Sequence, residues 1–225
     1  MHAFTAMGSI CALFSVLAML ESAYERMFLW LLAALVIDAV DGTMARAVRI
    51  TEVLPRFSGE RLDLVIDYLT YVFVPVLALL HAGLLTGWAG QLAAGLALLS
   101  ALYHFSDTAS KADDNCFVGF PAVWNLVAFC LFGWDLRGPA AISLVLLLVG
   151  LTFVPMHWLH PLRVRRLAPL NLTVMTVGLG AACWIIAAGF PAPLVPGLLL
   201  LGSSLYFGGM ALVWGRASMR HGRGH

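Results

Sequence analysis

The sequence predicts an all-α integral membrane protein with about eight transmembrane helices. Its composition is 61% hydrophobic and 11% charged, with a mean hydropathy of +0.91, whereas soluble domains average about 45–50% apolar and about 25% charged residues. A helix needs roughly 20 predominantly apolar residues to cross the hydrocarbon core, and such stretches occupy most of the 225 residues. These observations leave no room for a soluble domain, so residues 1–225 are predicted to form a single polytopic membrane domain.

The apolar stretches follow one another with short breaks. Three of the breaks are rich in glycine and proline, which is typical of tight turns between helices. No positively charged region precedes the first stretch, as it would in a secretory signal, so we predict a retained first helix; a cleaved leader is the alternative. The predicted spans cover residues 3–20, 27–47, 62–84, 88–105, 119–134, 139–157, 170–188 and 194–215.

The basic residues are distributed unevenly between the two predicted sides of the membrane. With eight spans, only Arg26 and Arg137 fall on the side opposite the termini, which leaves eleven of the 13 Lys and Arg residues on the other side. Cytoplasmic loops carry such an excess. Both termini are therefore predicted to face the cytoplasm, and in a bacterium the protein would lie in the cytoplasmic membrane.

Four aspartates occur in apolar surroundings on the second and third predicted helices. Asp38 and Asp41 lie in LVIDAVDGTMAR, and Asp63 and Asp67 lie in GERLDLVIDYLTY. Residues three or four apart share one face of a helix, so each pair points in one direction. An aspartate at the centre of a membrane helix costs about 2.5–3.5 kcal/mol, which indicates a compensating cation.

Two facing aspartate pairs would form a cage of carboxylate oxygens. Such oxygens suit hard divalent ions, Mg²⁺ or Mn²⁺, better than zinc. Two ions balance four negative charges more readily than one, and two-metal sites stabilise attacking and leaving oxygens in displacements at phosphorus. The alternative is that single aspartates are helix caps or interfacial residues.

Small residues accompany the aspartates. Gly42 follows Asp41, Ala45 lies on the same predicted face, and Gly59 precedes Asp63 by four residues. Small side chains allow a flat base or a diphosphate to lie against a helix, although close helix packing is an equally common reason for them.

The complete pattern is Asp38-x2-Asp41-Gly42-x2-Ala45-Arg46, followed by Gly59-x3-Asp63-x3-Asp67. It resembles the signature of the CDP-alcohol phosphotransferase family. The interval between Arg46 and Gly59 is longer than is usual in that family. This interval, the number of predicted helices and the stretches 111–129 and 160–170 resemble the branch formed by bacterial phosphatidylcholine synthases.

The resemblance implies a role for each aspartate. Asp38, Asp41 and Asp63 would bind metal, while Asp67 would lie close to the ions and take the proton of the acceptor hydroxyl. The implied cofactors are two Mn²⁺ or Mg²⁺ ions. The implied reaction transfers the phosphatidyl group of CDP-diacylglycerol to choline and releases CMP.

The resemblance also assigns the residues around the aspartates. Gly42, Ala45 and Gly59 would contact the cytidine nucleotide, and Arg46 would sit near the phosphates or at the mouth of the site. Members of the family resemble homodimers, which makes a second copy of the chain an implied partner alongside membrane lipids.

A site for choline should offer aromatic faces, because choline is a permanent cation without a donor on nitrogen. Each aromatic candidate could instead be a residue that merely lies at the membrane interface. Asn125 would hydrogen-bond either the acceptor alcohol or a neighbouring helix. Three arginines would bind lipid phosphate or diphosphate, or would merely orient the adjacent helices. These candidates are Tyr71, Tyr103, His104, Phe117, Phe120, Trp124, Asn125, Arg163, Arg165 and Arg166.

Two rival functions remain open at this point. One is the same chemistry with another alcohol, such as serine, glycerol phosphate or inositol phosphate. The other is a divalent-cation transporter, although transporters usually place their site near the membrane midplane, whereas Arg46 and the polar loop after it put these aspartates towards the cytoplasmic end.

Overall fold

The computed structural model describes residues 2–48, 58–107, 116–159 and 167–221. Helices form almost all of this part of the chain. Their bounds are α1 His2–Leu20, α2 Tyr24–Val48, α3 Gly59–Asp67, a π-helical segment Tyr68–Phe73, α4 Val74–His81, α5 Gly87–Ser106, α6 Trp124–Gly133, α7 Gly138–Thr152, α8 Ala168–Ala188 and α9 Leu194–His221.

Helices α1 and α2 form a tightly packed hairpin. The chain reverses at Ser22, which adopts a left-handed backbone conformation with φ of 56°. The Ser15 hydroxyl donates to the Met27 carbonyl oxygen over 3.1 Å, and the rings of Phe14 and Trp30 stack with centroids 4.9 Å apart. This hairpin fixes the position of α2, which carries the first aspartate pair.

Helix α3, the π-helical segment and α4 form one continuous rod. Ser58 caps its beginning, because its hydroxyl accepts a hydrogen bond from the Arg61 amide over 3.2 Å. Pro75 explains the π-helical turns: it has no N–H to donate four residues back, to the carbonyl of Tyr71, and its ring crowds that carbonyl. The Val74 amide instead reaches five residues back to the Leu69 carbonyl.

The structure corrects two predictions in the region after α5. The predicted fifth span starts at residue 119, but α6 begins only at Trp124. The predicted sixth span ends at residue 157, but α7 ends at Thr152 and residue 157 begins a short strand. Strands β1, Cys116–Val118, and β2, His157–Leu159, pair antiparallel. The fold is therefore helical with a small two-stranded ribbon, and the aromatic candidate Phe117 lies on β1.

Three helices in the described residues are long and apolar enough to cross a membrane. They are Arg61–His81, Ala168–Ala188 and Leu194–Ala211, and shorter apolar helices cover Phe4–Leu20, Trp124–Gly133 and Gly138–Thr152. Large apolar side chains such as Trp184 and Leu205 are exposed on the outer surface, as expected for a protein surrounded by lipid. The chain is a membrane protein, and the number of eight spans stays a prediction.

Aromatic packing ties one end of the bundle together. The ring of Phe28 lies 4.9 Å from that of Phe129 and 5.3 Å from that of Phe190. Nearby, the Tyr24 hydroxyl and His81 Nδ1 are 3.2 Å apart, which joins the start of α2 to the end of α4. These contacts fix the positions, along their axes, of the two helices that carry the aspartates.

Candidate metal and substrate site

The contact between Tyr24 and His81 explains why the two aspartate pairs meet. Asp38 follows Tyr24 by 14 residues, and Asp67 precedes His81 by 14 residues. The two helices run antiparallel, so at 1.5 Å per residue both aspartates lie roughly 21 Å from that contact. Equal separations along antiparallel helices bring the pairs to the same level.

All four aspartates line one small cavity. Its walls come from α1, α2, α3 and the π-helical segment. The lining residues are Thr5, Gly8, Ala34, Ile37, Asp38, Asp41, Asp63, Ile66, Asp67 and Thr70.

Three of the carboxylates converge closely. Asp38, Asp63 and Asp67 each offer one oxygen, and these oxygens lie within 4.8 Å of one another. The three side chains are half-buried. Oxygens at this separation suit a hard divalent cation, which takes carboxylate ligands at about 2.0–2.6 Å.

Asp41 supplies a second observation that favours a cation. Its side chain is only 5% exposed, and its Oδ2 has no hydrogen-bond partner among the described residues. A buried carboxylate without a partner carries a large desolvation cost unless it is paired or coordinates a metal. The four aspartates therefore fit one or two divalent ions.

Tyr71 reaches this cluster from the π-helical segment. Its hydroxyl donates to Asp38 Oδ2 over 2.9 Å. Tyr71 was predicted as an aromatic contact for choline, and the structure gives its hydroxyl a carboxylate partner.

Helix α1 contributes residues that the sequence analysis missed. Thr5 is buried and lines the cavity, as does Gly8 one turn later. A Cβ atom on Gly8 would stand 2.5 Å from Ile66 Cγ2, so the absence of a side chain lets α1 approach α3. The spacing of Thr5 and Gly8 on one helical face was the available signal, but small residues on membrane helices are too common to single these out.

Replacing Gly8 by alanine is expected to lower the thermal stability of the protein, because the new methyl group collides with the β-branched Ile66 and pushes α1 away from α3. Overpacking of this kind typically costs about 1–3 kcal/mol. The Tm of thermal unfolding would measure the effect. Gly95→Ala on α5 is the matched control, since a Cβ there meets nothing within 4 Å; equal behaviour of the two variants would contradict the close contact.

The other residues of the predicted motif are described only in part. Gly42, Ala45 and Arg46 lie on α2, which continues to Val48, but their side chains lie outside the described residues. Gly59 is the first residue of α3, one turn before Asp63.

Tyr71 apart, the aromatic candidates whose side chains are described do not line the carboxylate cavity. Trp124 is fully buried and packs against Phe120, with ring centroids 5.3 Å apart. Tyr103 is 52% exposed and lies against Phe153.

The polar candidates for the acceptor are resolved only in part. Asn125 Oδ1 accepts a hydrogen bond from the neighbouring Leu126 amide over 2.8 Å. Arg163, Arg165 and Arg166 lie outside the described residues. The four aspartates thus lie together, while the acceptor site stays a prediction.

The fold and the site together define a helical membrane protein with a carboxylate cavity suited to divalent cations. Comparison with models of protein families gives no match. Comparison with curated proteins finds several relatives named phosphatidylcholine synthase. The protein from Agrobacterium fabrum is 40% identical over 205 residues, covering 91% of this chain and 85% of the relative.

Two further relatives agree. Phosphatidylcholine synthase from Rhizobium meliloti is 41% identical and covers 94% of this chain and 88% of the relative. Phosphatidylcholine synthase from Pseudomonas aeruginosa is 42% identical, and the alignment covers 94% of this chain and 89% of the relative. The chain belongs to the phosphatidylcholine synthase family, which confirms the resemblance found in the sequence.

Proposed function

We propose that this protein is a phosphatidylcholine synthase that transfers the phosphatidyl group of CDP-diacylglycerol to choline. The observation that carries the proposal is the meeting of Asp38, Asp41, Asp63 and Asp67 in one cavity, in a chain whose relatives bear that name. Such a site favours an enzyme acting on a diphosphate over a cation transporter.

The four aspartates are proposed to hold two divalent ions, Mn²⁺ or Mg²⁺. Bound there, the ions would neutralise diphosphate oxygens and the charge that develops on departing CMP. Gly42, Ala45 and Gly59 are proposed to contact the cytidine nucleotide. Arg46 is proposed to bind phosphate, because guanidinium pairs with phosphate oxygens in a bidentate manner.

Asp67 is proposed to act as the general base. Its carboxylate accepts the proton from the choline hydroxyl as that oxygen attacks the phosphorus attached to diacylglycerol. The bond from this phosphorus to the CMP oxygen breaks, and CMP leaves while phosphatidylcholine forms. Asp67 lies at the end of α3, beside Asp63 and Asp38, so the base stands where the reacting groups would be held.

The surroundings of the site are also part of the proposal. The protein is proposed to lie in the cytoplasmic membrane of a bacterium as a homodimer, with the site and both termini facing the cytoplasm. The arginines Arg163, Arg165 and Arg166 would then face the anionic lipid surface and attract the phosphate groups of the substrate.

CMP release by purified protein in detergent tests the proposed reaction. The assay supplies CDP-diacylglycerol and Mn²⁺, and compares choline with serine, inositol, inositol phosphate and glycerol 3-phosphate. We expect release that depends on choline and formation of phosphatidylcholine. Release with another alcohol instead would keep the class of reaction and overturn the acceptor, whereas no release with any alcohol would contradict the enzyme assignment.

A further inference from the structure

We infer that Tyr71 is a positioning residue that fixes the Asp38 carboxylate for metal binding. This inference rests on the proposed function, since it concerns the ions that the aspartates would hold. Its basis is the hydrogen bond of 2.9 Å from the Tyr71 hydroxyl to Asp38 Oδ2, which joins the π-helical segment to α2.

The hydrogen bond leaves Asp38 able to bind a cation. A carboxylate has two oxygens and accepts several hydrogen bonds, so a donor on Oδ2 leaves the other oxygen available. The phenol is neutral and adds no positive charge that would compete with an ion. Partners of this kind hold metal-binding carboxylates in their productive orientation.

The π-helical segment accounts for the placement of Tyr71. Pro75 prevents regular α-helical hydrogen bonding to the Tyr71 carbonyl, and the wider turns run from Tyr68 to Phe73. Such π-helical turns occur frequently at functional sites. Here the segment begins directly after Asp67, so the irregular backbone lies beside the carboxylates.

A nearby residue helps to hold the segment in place. Thr70 is buried and lines the carboxylate cavity. Its hydroxyl donates to the Ile66 carbonyl oxygen over 3.0 Å, four residues earlier, which anchors the turn that precedes Tyr71. The hydroxyl of Tyr71 is thus presented to Asp38 by a fixed backbone.

The test compares Mn²⁺ binding by the purified full-length wild type, Tyr71→Phe, Tyr68→Phe and Asp38→Asn. Electron paramagnetic resonance measures the concentration of free Mn²⁺ and therefore gives the bound fraction without an activity assay. Loss of a partner of a metal ligand typically weakens metal affinity about 10- to 100-fold, and we expect a loss of this size for Tyr71→Phe. Tyr68→Phe is the matched control, because Tyr68 lies on the same segment with its ring against Phe105 and should bind Mn²⁺ as the wild type does.

The Mn²⁺ dependence of CMP release gives the second readout. In Tyr71→Phe the half-saturating Mn²⁺ concentration should rise by the same factor, and excess Mn²⁺ should restore kcat. A purely structural role would instead lower the yield of folded protein without moving the half-saturating concentration. If the variant aggregates, Tyr71→His, which keeps a ring donor, should bind Mn²⁺ more weakly than wild type and more tightly than Asp38→Asn.

The outcomes separate this inference from the proposed function. If Asp38→Asn loses Mn²⁺ while Tyr71→Phe, or Tyr71→His in its place, binds it as the wild type does, the positioning role is overturned and the metal site stands. If the wild type itself binds no Mn²⁺, the proposed metal site fails and the inference falls with it.

Discussion

Asp67→Asn is expected to abolish choline-dependent CMP release. Asparagine keeps the shape of the side chain but cannot accept the hydroxyl proton as a carboxylate does, and a general base contributes about 10²- to 10⁴-fold to a rate. The same change removes one of the three converging oxygens of Asp38, Asp63 and Asp67 as a charged ligand. Initial rates of CMP release at saturating choline and Mn²⁺ would measure the loss.

Asp135→Asn is the matched control for this prediction. Asp135 is exposed and pairs with Arg137 over 2.5 Å, far along the chain from the cavity, so the same chemical change should leave the rate near that of the wild type. Retention of more than a tenth of the rate by Asp67→Asn would contradict its role as the base.

Asp41→Asn is expected to weaken the response of the protein to divalent ions while leaving it folded. The Asp41 carboxylate is buried, with one oxygen unpartnered among the described residues, so removal of its charge lowers the desolvation cost in the absence of metal. In EDTA the variant should therefore unfold at the same temperature as the wild type or a higher one.

Added Mn²⁺ should affect the Tm of the wild type and that of Asp41→Asn differently. A ligand at 100 times its Kd stabilises the folded state by about 2.7 kcal/mol, so the wild-type Tm should rise with Mn²⁺, and that of Asp41→Asn should rise less at the same Mn²⁺ concentration. CMP release by the variant should be lost. A Tm that rises equally in both proteins would show that the ions bind elsewhere, and Asp135→Asn again serves as the control.

The sequence predicted the aspartate site because that site depends on local periodicity. The spacings of Asp38 with Asp41 and of Asp63 with Asp67 place each pair on one helical face, and the cost of burying them indicated a compensating cation. The cavity contains all four. Their common level depends on the distant contact between Tyr24 and His81, which spacing alone does not reveal.

Sequence patterns do not predict which residues of separate helices contact one another. Gly8 meets Ile66 across 58 positions of the chain, and nothing near Gly8 in the sequence distinguishes it from other small residues. Likewise, the apolar run after Thr152 was predicted to stay helical to His157, but α7 ends at Thr152 and His157 begins a strand that pairs with Cys116–Val118. Tertiary context overrides local propensity in such short segments.

The π-helical segment between Asp67 and Val74 changes the phase of the rod in which it lies. Each π-helical turn takes up about one residue more than an α-helical turn, which rotates every later side chain by about 100° relative to a regular helix. Before the segment, the rod turns its carboxylates towards α1 and α2; after it, buried Val76 and Leu79 belong to the core where α4 packs on α5 and α6. One uninterrupted helical wheel cannot describe both faces. Deletion of a single residue here would therefore misorient either the carboxylates of Asp63 and Asp67 or the buried side chains of α4.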